Sequence, residues 1–307
     1  MIWPSLLDRL PSVRGKLIEN ASLSDITWLR VGGLAQVLFL PADAIDLACF
    51  LEAAPHDIEV RVLGAGSNVL VLDGGLPGVT VKLTPAFGEI KVLAGNRIRA
   101  GAAALDRTVA RVAAKAGIAG FEFYECLPGA IGGALRMNAG CYGAETGDRL
   151  VEVVALDRRG CRIIASLEEL GYAYRHSAAP DDWIFIEALF EGTKDDPAAV
   201  TMRMRNFMVR REASQPIRGK TAGCTFKNPA PETSGGRSAW QLVAAAGWRG
   251  KPIGGARFSE QHCNFLINDG TATASDLETL GETVRAEVKD RFGVELHWEV
   301  KCIGVPK

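Results

Sequence analysis

The sequence predicts an α+β chain of more than one domain, and three observations carry that expectation. The chain has 307 residues, which at ~100–200 residues per domain suggests two or three domains. Short β-rich runs and glycine turns are interspersed with helical stretches. A polar stretch holding both Gly and Pro, residues 192–197 (GTKDDP), divides an N-terminal from a C-terminal region.

Taken in order, residues 41–54 read as a helix, with Pro41 in its first turn and Ile45, Leu47, Ala48 and Leu51 as its apolar face. Residues 60–63 and 69–72 are short apolar runs flanking the small-residue turn Gly64–Asn68. This is strand, turn, strand rather than the strand, turn, helix of a dinucleotide-binding unit, because the second run is β-branched, short and ends in Asp73-Gly74-Gly75. A hairpin is expected at 90–101 around Gly95-Asn96, a helix at 104–116 stopped by Gly117, a second hairpin at 151–165 and a strand at 183–190. The C-terminal region opens with a helix near 198–212 and carries an apolar stretch at Trp240–Ala246 and a strand at Phe265–Asn268. Its last helix begins at a Ser275/Glu278 capping box. The apolar stripe there is Leu277, Leu280, Val284, Val288 and Phe292; Gly293 stops the helix, and a strand follows at Leu296–Ile303.

Composition narrows the function classes. Apolar residues make up 48% and charged residues 23%, ordinary for a packed globular chain, and the formal net charge is −1. No global basic field exists to hold nucleic acid or an anionic membrane, so an anionic substrate must be met by local groups. No apolar run approaches the ~20 residues of a membrane span, and the first residues lack a signal-peptide pattern, so a cytoplasmic location is expected. The seven cysteines are odd in number and scattered without Cys-x-x-Cys, and the four histidines form no i, i+4 pair. Neither a disulfide framework nor a metal site is expected.

Chemistry is expected in three segments. Gly64-Ala65-Gly66-Ser67-Asn68 can turn successive backbone N–H groups toward one anion, with Ser67 and Asn68 as further donors; a plain hairpin turn is the alternative. Residues 127–143 (LPGAIGGALRMNAGCYG) are too rich in glycine for an ordinary helix and too apolar for an exposed linker, which points to backbone lying against a flat ligand, or else to a buried loop. Residues 221–229 (TAGCTFKNP) place Cys224 beside Lys227 and Asn228; a cysteine is a proton donor or nucleophile, but by itself is more often a small buried apolar residue.

Together these segments resemble the UDP-N-acetylenolpyruvoylglucosamine reductases. The resemblance runs in order through TWLRVGG (27–33), LGAGSNV (63–69), LPGAIGGALRMNAGCYG (127–143), GYAYRHS (171–177), GCTFKNP (223–229), GGARFSEQHCNFLIN (254–268) and WEVKCIG (298–304). It implies an FAD-binding region of the vanillyl-alcohol-oxidase type, made of two α+β subdomains (1–84 and 85–195), and a C-terminal α+β substrate domain (196–307). It implies non-covalent FAD, with Gly64, Ala65, Gly66, Ser67 and Asn68 at the diphosphate and Gly129, Gly132, Gly133, Asn138 and Gly140 along the flavin and its linker. NADPH is the implied reductant, UDP-N-acetylglucosamine enolpyruvate the implied substrate, and a monomer the implied state. By motif matching, Arg175 stabilises the substrate enolate, Glu299 is the C-terminal carboxylate of the site, and Arg211, Lys227 and Asn228 contact substrate. Cys224 stands where most members have serine and takes that residue's role as proton donor. The short connection between Trp183 and Met204 leaves no room for the tyrosine-bearing loop of the family's longer form. A flavin oxidase of the same fold and a non-catalytic flavin-binding protein are the competing readings.

Overall fold

A computed structural model describes residues 2–307. The first unit begins with strands β1 (Lys16–Ser22) and β2 (Leu34–Leu40), followed by helix α1 (Ala44–Ala53) and strands β3 (Val60–Val62), β4 (Val69–Val71) and β5 (Leu76–Val81). Its sheet runs in the order β1-β2-β5-β3, with β2, β5 and β3 parallel and β1 antiparallel to β2. Alternate residues Val37, Phe39, Val79 and Val81 point to one face and are covered by Leu47, Phe50 and Leu51 of α1. Phe39 and Phe50 meet with ring centroids 4.4 Å apart. Burying each such side chain contributes about 1.5–3 kcal/mol. Pro41 lies outside α1, which is capped by the Asp43 side chain. Ile45, expected on the buried face, is exposed; Asp46 is buried instead, because its carboxylate accepts the backbone N–H groups of Arg14, Gly15 and Ala42.

The second unit holds the hairpin β6 (Ile90–Leu93) and β7 (Arg97–Gly101), then helices α2 (Asp106–Lys115) and α3 (Ile131–Met137). A second hairpin, β8 (Leu150–Leu156) and β9 (Arg162–Ser166), and strand β10 (Ile184–Glu191) complete an antiparallel sheet in the order β9-β8-β10-β7-β6. Both hairpins, α2 and β10 stand where the sequence puts them. Asn96, at φ 57°, makes the first turn possible. Helix α4 (Pro197–Ser214) buries Val200 and Met204 in this unit's core beside Val109, Phe121 and Phe190. By packing, then, the second unit runs to about Ser214, past the division expected at 195.

The third unit contains α5 (Ala239–Ala245), β11 (Ala256–Phe258), β12 (Leu266–Asn268), α6 (Ala274–Phe292) and β13 (Lys301–Ile303). The stripe Leu277, Leu280, Val284 and Val288 is buried against Leu242, Val243 and Phe258, as its period dictates. The cap is Thr273 with Asp276, two residues ahead of the Ser275/Glu278 pair. The cause is tertiary: the Asp73 carboxylate accepts the N–H groups of Ala274 and Ser275 and so fixes the first turn. The final strand is shorter than expected, because residues before Lys301 cross the 225–226 segment with a single bridge, Phe226 to Trp298.

β13 pairs in parallel with β4, Lys301 opposite Val69 and Ile303 opposite Val71. Leu29, Val31 and Leu70 are accordingly buried in the third unit's core. The runs on either side of Gly64–Asn68 therefore belong to different sheets, and the plain-hairpin alternative is excluded. In α6, a Cβ on Gly281 would overlap the Trp298 ring, which packs flush on the helix one residue before Glu299. Gly281→Ala is expected to destabilise the protein by about 1–3 kcal/mol through overpacking, read as a lower urea midpoint with an unchanged m-value.

Candidate active site

The loop Gly64–Asn68 leaves the C-terminal end of parallel strand β3. Among the described residues, none of its five backbone N–H groups donates to a protein acceptor. A run of unpaired donors held in one loop is a nest for an anion. Gly66 is glycine for a local reason, φ 69° against the Ile26 carbonyl, whereas a side chain at Gly64 would meet nothing within 4 Å. Asn68 is engaged by the protein: its side-chain Nδ2 donates to the Glu299 backbone carbonyl at 3.1 Å, while its backbone carbonyl accepts from Lys301 N–H at 3.0 Å. The loop is thereby tied to the segment carrying Glu299.

Residues 127–143 do form a helix, contrary to the expectation from their glycines: α3, seven residues long, ended by Asn138 in the left-handed region at φ 42°. Three glycines of the 127–143 segment answer to protein contacts. A Cβ on Gly129 would sit 2.8 Å from Asp106 Oδ2, one on Gly132 would sit 3.2 Å from Ala102 Cβ, and one on Gly140 would strike Ala144 and Glu145 across a two-residue hairpin. Gly133 is exposed with open space around it. One turn on, Met137 touches Asn68, so the Gly133–Met137 face of α3 lies along the anion loop. Asn138 is fully buried, its side chain spent on Ala173 O and Gly147 N, so it can offer a ligand only backbone.

Arg175 sits at the tip of a two-residue turn closed by reciprocal hydrogen bonds between Ala173 and His176. Its φ of 53° is unusual for a non-glycine residue. The turn is braced by Tyr172, whose hydroxyl donates to Leu135 O, and by half-buried Arg136, which donates to Ala179, Pro180 and Trp183 carbonyls. From there Arg175 Nε reaches Glu299 Oε1 at 2.9 Å and Nη2 reaches Gly140 O at 2.5 Å. Burial works against the Arg175 charge but is outweighed by Glu299, so its guanidinium is held charged more firmly than usual. Burial pushes the Glu299 carboxyl above the usual carboxylate range, with Arg175 and Lys227 pulling the other way.

Cys224 lies on the adjoining backbone, bridged to Phe265, and Glu299 N–H donates to the Thr225 carbonyl at 2.8 Å. The residue is partly exposed, yet its sulfur is packed in protein; burial, with the Glu299 charge, pushes the thiol up to about 12. The positive charges of Arg175 and Arg211 oppose that shift. Of the three substrate-contact residues expected from the sequence, Lys227 lies close enough for its charge to act on Glu299, and Arg211 close enough for its charge to act on Cys224. Asn228 Oδ1 accepts the Ala239 N–H at the start of α5, which leaves its amide nitrogen free of that contact.

Two residues of this site escape sequence reasoning. Tyr174 lies under the Arg175 guanidinium, 5.1 Å from ring centroid to Cζ; burial and the Glu299 charge push its hydroxyl above the usual phenol value. Its position between Gly171 and Arg175 was the available signal. Asn264, inside a segment given no role, clamps Phe226 by accepting its N–H at 3.0 Å and donating to its carbonyl at 2.8 Å, and so fixes the backbone two residues beyond Cys224. Nothing local marks it, since the contact spans the third unit.

The residues present fit FAD: five unpaired N–H groups suit a diphosphate, and the side-chain-free surface at Gly133 beside Met137 suits a flat ring. Comparison with known proteins agrees. Residues 35–165 match the family model described as an FAD binding domain, and residues 215–303 match that of the UDP-N-acetylenolpyruvoylglucosamine reductase C-terminal domain. The second match begins just after α4, where the packing changes hands. The chain is 60% identical to the UDP-N-acetylenolpyruvoylglucosamine reductase of Maricaulis maris, over 98% of this chain and 96% of that one. It is 59% identical to that of Phenylobacterium zucineum over the whole of both. The crystal structure of the Thermus caldophilus UDP-N-acetylenolpyruvylglucosamine reductase superposes with a TM-score of 0.81 at 31% identity, covering 95% of this chain and all of that one.

Proposed function

The chain belongs to the UDP-N-acetylenolpyruvoylglucosamine reductase family, and from that premise we propose that it reduces the enolpyruvyl ether of UDP-N-acetylglucosamine enolpyruvate to the lactyl ether of UDP-N-acetylmuramate, for peptidoglycan precursor synthesis. NADPH is the proposed reductant, FAD is held non-covalently, and the enzyme acts as a cytoplasmic monomer. No helix among the described residues is long and apolar enough to cross a membrane.

The observation that carries this reading is the convergence of Arg175, Glu299 and Cys224 beside the anion loop. Bound FAD supplies hydride chemistry between NADPH and the methylene carbon of the enolpyruvyl group. The protein's own groups do the rest. As the methylene carbon is reduced, negative charge spreads over the neighbouring carbon and the substrate carboxylate as an enolate. Arg175 meets that oxyanion with a planar fork whose aim is fixed in advance by Glu299 and by the Gly140 carbonyl. Glu299 thus works by orienting the guanidinium. Cys224 gives its S–H proton to the carbon that carried the charge, forming the new C–H bond and leaving a thiolate that the positive charges of Arg175 and Arg211 stabilise. Lys227 and Arg211 supply the local positive charge that a nearly neutral chain must provide for an anionic substrate.

Anaerobic NADPH oxidation by the yellow protein, with and without the enolpyruvyl substrate, tests the reading. One NADPH consumed per substrate is expected. Flavin that NADPH reduces but the substrate never reoxidises would overturn it, and substrate-driven oxygen consumption would favour an oxidase.

A further inference from the structure

Lys82 follows directly on β5, whose C-terminal end lies beside that of β3, Val81 opposite Val62. Its Nζ donates to the Gly64 carbonyl at 2.9 Å, at the first residue of the anion loop. The side chain is partly buried, and burial alone draws its pKa down. Among the described residues no carboxylate pairs with it, although twelve other ion pairs form. Burying an ammonium without a counter-charge is costly, and one carbonyl replaces only part of its lost hydration. The same loop presents five backbone N–H groups that have no acceptor. An unpaired cation and a run of unpaired donors around one place are satisfied together by a single multivalent anion.

The ends of the loop also differ. Asn68 is tied to Glu299, whereas Gly64 is held by Lys82, and the residues that follow Lys82 in the chain, Leu83, Thr84 and Pro85, line a cavity of about 320 Å³ with Ala104 and Leu105. Leu105 remains 47% exposed there, an apolar surface without a protein partner.

We propose that Lys82 is the cation that binds the cofactor's diphosphate, with the adenosine end lying in the Leu83–Leu105 cavity and the flavin end toward Glu299. The assignment rests on the FAD reading of the loop, and the experiment separates the two. Apoprotein, stripped of flavin, is titrated with FAD by flavin fluorescence as wild type, Lys82→Met and Lys82→Arg, at several NaCl concentrations, with folding checked by circular dichroism. Lys82→Met is expected to weaken FAD on the order of 10- to 100-fold, the range of a charge-assisted hydrogen bond, and to flatten the salt dependence. Lys82→Arg, which keeps the charge, should stay within a few-fold of wild type. ADP, which carries the adenosine and diphosphate alone, should compete with FAD on the wild type and lose affinity in Lys82→Met by a similar factor. Equal FAD affinity in wild type and Lys82→Met overturns the proposal, as does ADP binding indifferent to the substitution. Should Lys82→Met not fold, Lys82→Gln and the wild-type salt dependence answer the same question. Wild-type apoprotein that takes up no FAD would instead sink the cofactor reading beneath it.

Discussion

Cys224→Ala should leave NADPH oxidation by the bound flavin intact while slowing product formation by about 10²–10⁴-fold, the usual contribution of a positioned proton donor. The two half-reactions separate the effect. Anaerobic stopped flow should show flavin bleaching at the wild-type rate and its reoxidation by substrate nearly abolished. Cys224→Ser should recover much of the loss, because a hydroxyl is also a proton donor, fits the space of a thiol, and would sit on the same backbone bridged to Phe265. The pH profile adds an independent readout. A free thiol ionises near ~8.5, but burial pushes Cys224 up to about 12. The raised value keeps the proton on sulfur as pH climbs, so reoxidation should stay flat through the region where an ordinary cysteine would lose it. A fall in that rate following an ordinary thiol ionisation would contradict the assignment.

Arg175→Lys should cost about 10²–10³-fold in reoxidation even though the charge is kept, the range for losing a preorganised oxyanion donor. A lysine has no fork with which to hold Glu299 and Gly140 while facing a carboxylate, so charge without orientation remains. Glu299→Gln tests whether the carboxylate orients the arginine. It should lower kcat less than Arg175→Lys does, and should raise the substrate KM by leaving the guanidinium free to turn. A Glu299→Gln loss as large as that of Cys224→Ala, with a new dependence on pH, would instead make Glu299 a proton donor in its own right.

Much of this molecule is written in local pattern. The hairpins at 90–101 and 151–165 and the stripe on α6 were legible because each follows from near-neighbour sterics and period. So were the helix stop at Gly117 and the residue types of the site, through the resemblance of seven short segments. The misread elements share another cause. Ile45 was assigned inward by hydropathy, yet Asp46 holds that place because three backbone donors come from residues 14, 15 and 42. The cap of α6 moved to Thr273 because Asp73, two hundred residues away in the chain, bonds its first turn. The glycine-rich stretch became a helix because the second core packs Ile131, Ala134 and Leu135, while several of its glycines answer to neighbouring backbone rather than to a ligand.

The sequence by itself determined the chemistry available: a thiol, a guanidinium, a carboxylate and a loop of small residues. Tertiary structure alone decided that these meet. Glu299 reaches Arg175, 124 residues earlier, because β13 crosses back to pair with β4 and because the 173–176 turn points its tip at that strand. Contacts at such separation depend on which apolar faces find one another during folding, and local pattern carries no record of that choice.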